Sequence, residues 1–221
     1  MQATEETTKF TTIRPVLAAL SRQLPRRERV DAFRQVGNAA LIQAARVASA
    51  PDLHFSRDED GAPTPEGDWS WSLTNAEGLV AAVVSDCAVG IDVEPFDRPR
   101  RETLLAYLQE RDPAGLKRMG GDGTAALILW TAFEAALKLL GLGVSGLPDT
   151  KLDSTSVLLP APWHVVRVGL QTIPVWSSPC GDHVLSLAVA APLDQLPEIT
   201  PLNLIGEHSQ ADLDPHRGAS A

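Results

Sequence analysis

Apolar residues recur at helical spacing through "LPRRERVDAFRQVGNAALIQAARVA", residues 24–48, where Val30, Phe33, Val36 or Gly37, Ala40, Leu41 and Ala44 fall on one side. This predicts a helix of about six turns. The Asp-, Gly- and Pro-rich stretch "SRDEDGAPTPEGD" reads as a loop. Alternation and β-branched content in "WSWSLTNAEGLVAAVVSDCAVGIDVEP" predict three short strands, with turns at Asn75 to Gly78 and at Ser85 to Ala88, and Pro95 closing the third. A helix is expected near Glu102 to Glu110 and another in "LWTAFEAALKLLGLG", where Gly141 and Gly143 suit a left-handed C-cap. Strand candidates follow at "STSVLL", "WHVVRVGL", "IPVWS" and "DHVLSLAVA". Helix then strands thus occurs twice, and "DHVLSLAVAAP" echoes "EGLVAAVVSDC". The expected fold is α+β, in two pseudo-symmetric halves over residues 1–100 and 101–191, each a helix packed on a small antiparallel sheet. From Pro192 on, the many prolines and polar residues predict a flexible tail over residues 192–221.

The helix around Glu134 carries the first chemical signal. Trp130, Phe133, Leu137, Leu140, Ile128, Leu129 and Leu139 cover most of its circumference, leaving a narrow stripe of Thr131, Glu134 and Lys138. An exposed i, i+4 ion pair is worth only about 0.3 to 0.5 kcal/mol, a weak reason to place one on a helix built for burial. The stripe is therefore expected to face a cleft, with Glu134 as a metal ligand or general base and Lys138 as a phosphate partner. An ion pair on the one wet side of an ordinary helix gives the same pattern.

In "VGIDVEP" the strand period of two puts Asp92 and Glu94 on one face, with Cα atoms roughly 6.5 to 7 Å apart. Two carboxylates aimed at one place repel unless a cation compensates them. Mg2+, which bridges one or two carboxylates to substrate phosphates, meets that need. The solvated face of an edge strand also fits.

Composition narrows the classes. Of 221 residues, 44% are hydrophobic and 21% charged, as in soluble globular proteins. No apolar run approaches the roughly 20 residues of a bilayer span, and "MQATEETTKFTTIRP" lacks the order of a signal peptide, so a cytoplasmic location is expected. A net charge of −9 argues against general attraction to nucleic acid. Cys87 and Cys180 lack metal-type spacing and are expected to be inert thiols. The five histidines are scattered and none is assigned to a metal. Trp69 and Trp71 share a strand face and are expected to pack in the core. "MGGDGT" reads as a turn.

"GIDVE" followed by "WTAFEAALK" resembles the signature of the Sfp-type 4'-phosphopantetheinyl transferases, a "GIDxE" strand and a "WxxKEAxxK" helix some forty residues later. The resemblance extends over about residues 25 to 190: "WSLTNA" is similar to the family's "FSLSHS"-like strand, "DGAP" to "xGKP", and "GLGVSGLP" to the segment after the helix. It implies two pseudo-symmetric α+β halves with the active site between them. It also implies transfer of the 4'-phosphopantetheine arm of coenzyme A to a serine of an acyl or peptidyl carrier protein, in fatty acid or secondary metabolite biosynthesis. By the same resemblance Asp92, Glu94 and Glu134 would hold Mg2+, Glu134 would be the base, and Lys138 would serve the phosphates. Thr74, Asn75 and Arg26 or Arg27 would contribute to binding coenzyme A, and acidic carriers could meet the segment Arg98 to Arg101. Size and symmetry imply a monomer.

The chain departs from the family pattern at Phe133, Asn75, Ala62 and Asn38, each of which stands in place of a cationic or potentially cationic group. A charge-assisted hydrogen bond contributes about 1.5 to 3 kcal/mol, so the grip on the 3'-phosphate is expected to be remodelled. A family member that binds a carrier or nucleotide without turnover, and a metal-dependent phosphoester hydrolase, are the competing expectations.

Overall fold

The computed structural model describes residues 12–23, 25–153 and 161–203. Four layers stack in the order helix, sheet, sheet, helix. The first sheet contains β2 (Val16–Ala19), β3 (Ser70–Ala76), β4 (Leu79–Ser85) and β11 (Leu202–Asn203), in the order β11-β2-β4-β3. Helix α1 (Arg26–Ala48) covers one face of it. Its buried side is Ala40, Leu41, Ala44 and Ala45, packed on Val16, Trp71, Val80 and Ala82. The predicted stripe holds along most of this helix, but Val30, near its start, is 55% exposed. Trp71 is buried in this core and Trp69 packs against it, as the strand alternation implies.

The second sheet has the order β5-β9-β8-β7-β6, from β5 (Val89–Pro95), β6 (Thr150–Leu152), β7 (Trp163–Val168), β8 (Gln171–Cys180) and β9 (His183–Val189), with every pairing antiparallel. Strand β5 lies in the first half of the sequence but pairs with β9, the last long strand. The outer face of this sheet carries α4 (Gly123–Leu140), braced by α2 (Arg101–Arg111) and the short α3 (Pro113–Arg118). Between the sheets lies a second core of Leu17, Ala81, Val83, Ile91, Val93, Leu185 and Leu187. The fold is α+β, as expected.

Helix α4 begins on an Asp122 cap, whose side chain accepts from Ala125 N–H at 2.8 Å. It ends on Gly141, at φ 67°, as the glycine predicts. Its 18 residues have a mean hydropathy of 1.4, enough to cross a membrane by length and composition. That measure runs against the expectation that nothing in the chain reaches such a length. The cause lies in its place in the fold, since Ala126, Leu127, Leu129, Phe133 and Leu137 are core residues between the sheet and its neighbouring elements.

Several elements escaped the sequence reading: β2, α3, β6 and the 3-10 segment Gly143–Asp149. The expected tail also needs correction. Residues 192–203 fold back, with β10 (Glu198–Ile199) parallel to β1 (Thr12–Ile13) and β11 parallel to β2. Their backbone groups find strand partners, which the proline count did not reveal. The rest of the predicted tail and the strand candidate "STSVLL" lie outside the described residues.

Candidate active site

Glycine at position 90 determines how the site is assembled. On β5, Gly90, Asp92 and Glu94 face α4, while Ile91 and Val93 face the core between the sheets. A β-carbon on Gly90 would overlap Ala135 O and Leu139 N and stand 3.0 Å from Leu139 Cα. The helix backbone therefore rests directly on the strand, and Lys138 can reach back to it. The first sheet meets the same strand at its other edge, where Ser72 Oγ accepts from Ile91 N–H at 3.1 Å.

Thr74, Asp92 and Lys138 converge at this seam. Asp92 Oδ1 accepts from Lys138 Nζ at 2.6 Å and from Thr74 Oγ1 at 3.0 Å. The ammonium also donates to Thr74 Oγ1 at 3.0 Å and to Ile91 O at 3.2 Å. An ammonium has three donors, so all are committed inside the protein. Lys138 is placed to hold Asp92 in position, and a phosphate contact would require it to release one of these bonds. Asp92 Oδ2 is buried and has no hydrogen-bond partner.

Glu94 and Glu134 border this centre, close enough for each to feel the charge of Asp92. Glu94 pairs with Arg98, whose guanidinium lies 5.5 Å from the centroid of the Trp130 ring. Burial pushes the Glu94 carboxyl up to about 7; Arg98 and Lys138 oppose the rise, and the charges of Asp92 and Glu134 add to it. Glu134 is raised for similar reasons, burial first and Asp92 next. The seam thus holds more negative charge than its two cations relieve.

That excess has a consequence for stability. A carboxyl whose folded pKa lies above its unfolded one is protonated preferentially in the native state, so stability is greatest below the unfolded value and is lost as pH rises through the folded value. For Glu94 the window runs from 4.5 to about 7. In the absence of divalent ions, stability should fall between those pH values, by on the order of 3 kcal/mol at most, and thermal midpoints should fall with it. The Glu94→Gln variant should show a flatter profile. Identical profiles for the two proteins would show that Glu94 is not desolvated.

Other expected site residues lie elsewhere. Thr131, assigned to the ionic stripe, is fully buried and donates to Leu127 O at 2.6 Å; its hydroxyl is spent on its own helix. Asn75 is exposed and, by strand alternation, points to the face opposite Thr74, so the two side chains cannot line one pocket. Phe133, in the place of the family's lysine, is core. Arg26 opens α1, and its side chain lies outside the described part of the structure. Arg98 is turned toward Glu94 and Trp130, and Arg101 donates to Phe96 O and Thr124 Oγ1. Two of the three arginines in the 98–101 cluster are therefore engaged internally. Sequence reasoning missed Arg98 as a site residue, although Glu94 and Arg98 stand four apart, and it gave Gly90 no role.

The family model of the 4'-phosphopantetheinyl transferase superfamily matches residues 88–178. The match takes in 91 of the 221 residues. It contains Asp92, Glu94, Glu134 and Lys138, and it runs from just before β5 into β8. Thr74 comes from β3, outside the match, so the matched span receives one of its site side chains from the other sheet. No curated protein matches the chain.

The donor chemistry suits a hard divalent cation. Three carboxylates share the seam, Asp92 Oδ2 is buried without a donor, and the two glutamates are held back from ionising by burial and by the charge of Asp92. Among the described residues no three such side chains already form a ligand cage. Glu94 Oε1 is bound to Arg98 and Asp92 Oδ1 to Lys138, which leaves Asp92 Oδ2 as the buried oxygen free to accept a cation.

Proposed function

We propose that the protein transfers the 4'-phosphopantetheine arm of coenzyme A to a serine hydroxyl of an acyl or peptidyl carrier protein, with Mg2+ as cofactor. The observation that carries this reading is the gathering of Asp92, Glu94 and Glu134 around Lys138 within a span matched by the superfamily. Asp92, Glu94 and Glu134 would hold the cation, which when bound neutralises charge on the pyrophosphate and orients it. Glu134 would accept the serine proton. Its raised pKa makes it a stronger base than an exposed carboxylate, and its half-buried position limits competition from water. Lys138 would keep the Asp92 carboxylate correctly turned. The serine oxygen would form its bond to the β-phosphorus as the bond to the departing 3',5'-ADP breaks.

A binding role without turnover has specific support as well. The donors of Lys138 are already spent, and Asn75 and Phe133 bring no cation to the seam. Incubation of the protein with Mg2+, coenzyme A and a panel of apo carriers, followed by intact mass, separates the two. A carrier heavier by one arm, with the gain lost on chelation and in Glu134→Gln, is the expected result. A stable complex with no mass gain would favour binding alone, and phosphate release without a carrier would favour a hydrolase. A cytoplasmic monomer is part of the same proposal, on the composition and size of the chain.

A further inference from the structure

The partnerless oxygen of Asp92 has an unmatched donor in the next strand. In the antiparallel register Asp92 stands opposite Ser186 on β9, and Ser186 opposite Ser177 on β8. Directly opposed residues project to the same face. On that face the neighbours of Ser186, Val184 and Ala188, pack in the α4 core. The three polar side chains thus form one row beneath α4, and both serines are buried. Ser177 Oγ and Ser186 Oγ are 2.8 Å apart. Two hydroxyls joined by one hydrogen bond use one of their two protons, and among the described residues the second proton has no acceptor. A buried donor without an acceptor therefore sits in register with a buried acceptor without a donor.

We propose that Ser177 donates to Ser186 and that Ser186 donates to Asp92 Oδ2, through a small rotation or one intervening water, so that the two hydroxyls hold Asp92 in place from behind. Opposed side chains have Cβ atoms about 4.5 to 5.5 Å apart, which leaves this reach open. A carboxylate oxygen has two lone-pair directions, so a bond from the sheet does not exhaust it. Thr74 and Lys138 fix one oxygen and the relay fixes the other, leaving the carboxylate plane no free rotation. The serines touch no reactant and are positioning residues. The value of the relay to catalysis rests on the transferase reading, whereas the hydrogen bond itself does not.

Infrared difference spectra of the full chain, with 13C in the aspartate side-chain carboxyls and without cation or substrate, test the relay directly. Ser186→Ala against the unaltered protein should give a shifted aspartate carboxylate band. Ser177→Ala, which keeps the Ser186 hydroxyl, should give a smaller shift of the same band, and both signals should vanish in an Asp92→Asn background. A flat spectrum for folded Ser186→Ala, or bands that survive Asp92→Asn, overturns the relay; should Ser186→Ala not fold, the Ser177→Ala pair decides alone. The shift in a protein that modifies no carrier would leave the relay standing and remove the transferase reading. A flat spectrum in an active enzyme would remove the relay alone.

Discussion

Gly90→Ala should destabilise the protein by about 3 kcal/mol or more, the largest effect expected from adding a single methyl group anywhere in this fold. Overpacking a core ordinarily costs about 1 to 3 kcal/mol, because side chains shift to absorb the added volume. Here the obstructing atoms are Ala135 O and the backbone of Leu139, which cannot rotate away. Either α4 lifts off β5 or the strand bends. In both cases Lys138 Nζ leaves Asp92, 2.6 Å away in the present structure, and Glu134 moves with it. Denaturant midpoints and the proposed transfer activity should therefore fall together. Gly121 is the control: nothing lies within 4 Å of a β-carbon there, so Gly121→Ala meets only the strain of a positive φ and leaves the seam untouched. A Gly90→Ala protein with an unchanged midpoint would mean that α4 does not rest on this strand.

Lys138→Met is the second large effect. Removing one partner of a buried ion pair leaves the other charge uncompensated, at a cost of about 3 to 5 kcal/mol. The Asp92 side chain is 9% exposed against 30% for Lys138, so the burden falls on the aspartate. The loss should be relieved when Asp92 is also neutralised: Asp92→Asn in the Lys138→Met background should recover part of the stability while restoring no activity. A double-mutant cycle by chemical denaturation reads the coupling. If the two substitutions simply add, the contact contributes no net interaction.

Where the chain repeats a simple period, its architecture is legible. The α1 stripe and the β3 alternation correspond to observed elements because the two faces of each meet different surroundings; β4 is a continuous apolar run buried on both faces, and the glycine stop after α4 is a left-handed cap. The acidic pair on β5 and the Glu134 helix were legible for the same reason, since alternation and helical spacing place those residues before any contact is known. What stayed hidden depends on distant partners. The dipeptide-long strands β10 and β11 exist because β1 and β2 lie beside them, and no local period marks them. Thr131 and Lys138 share a stripe on the helix wheel, yet one turns its hydroxyl to its own helix and the other reaches to β5. Arg98 could have been found from its spacing to Glu94, but its stacking on Trp130 could not.

The strand that bears Asp92 waits a long time for its neighbour. During synthesis β5 emerges early, while β9, which flanks it, is the final long strand to appear. Closing such distant pairings is slow, because loop entropy is lost before any contact repays it. A ribosome-bound chain halted before β9 carries all three acids and the lysine while β5 lacks its partner strand. Assembly of the acidic seam should therefore wait for β9.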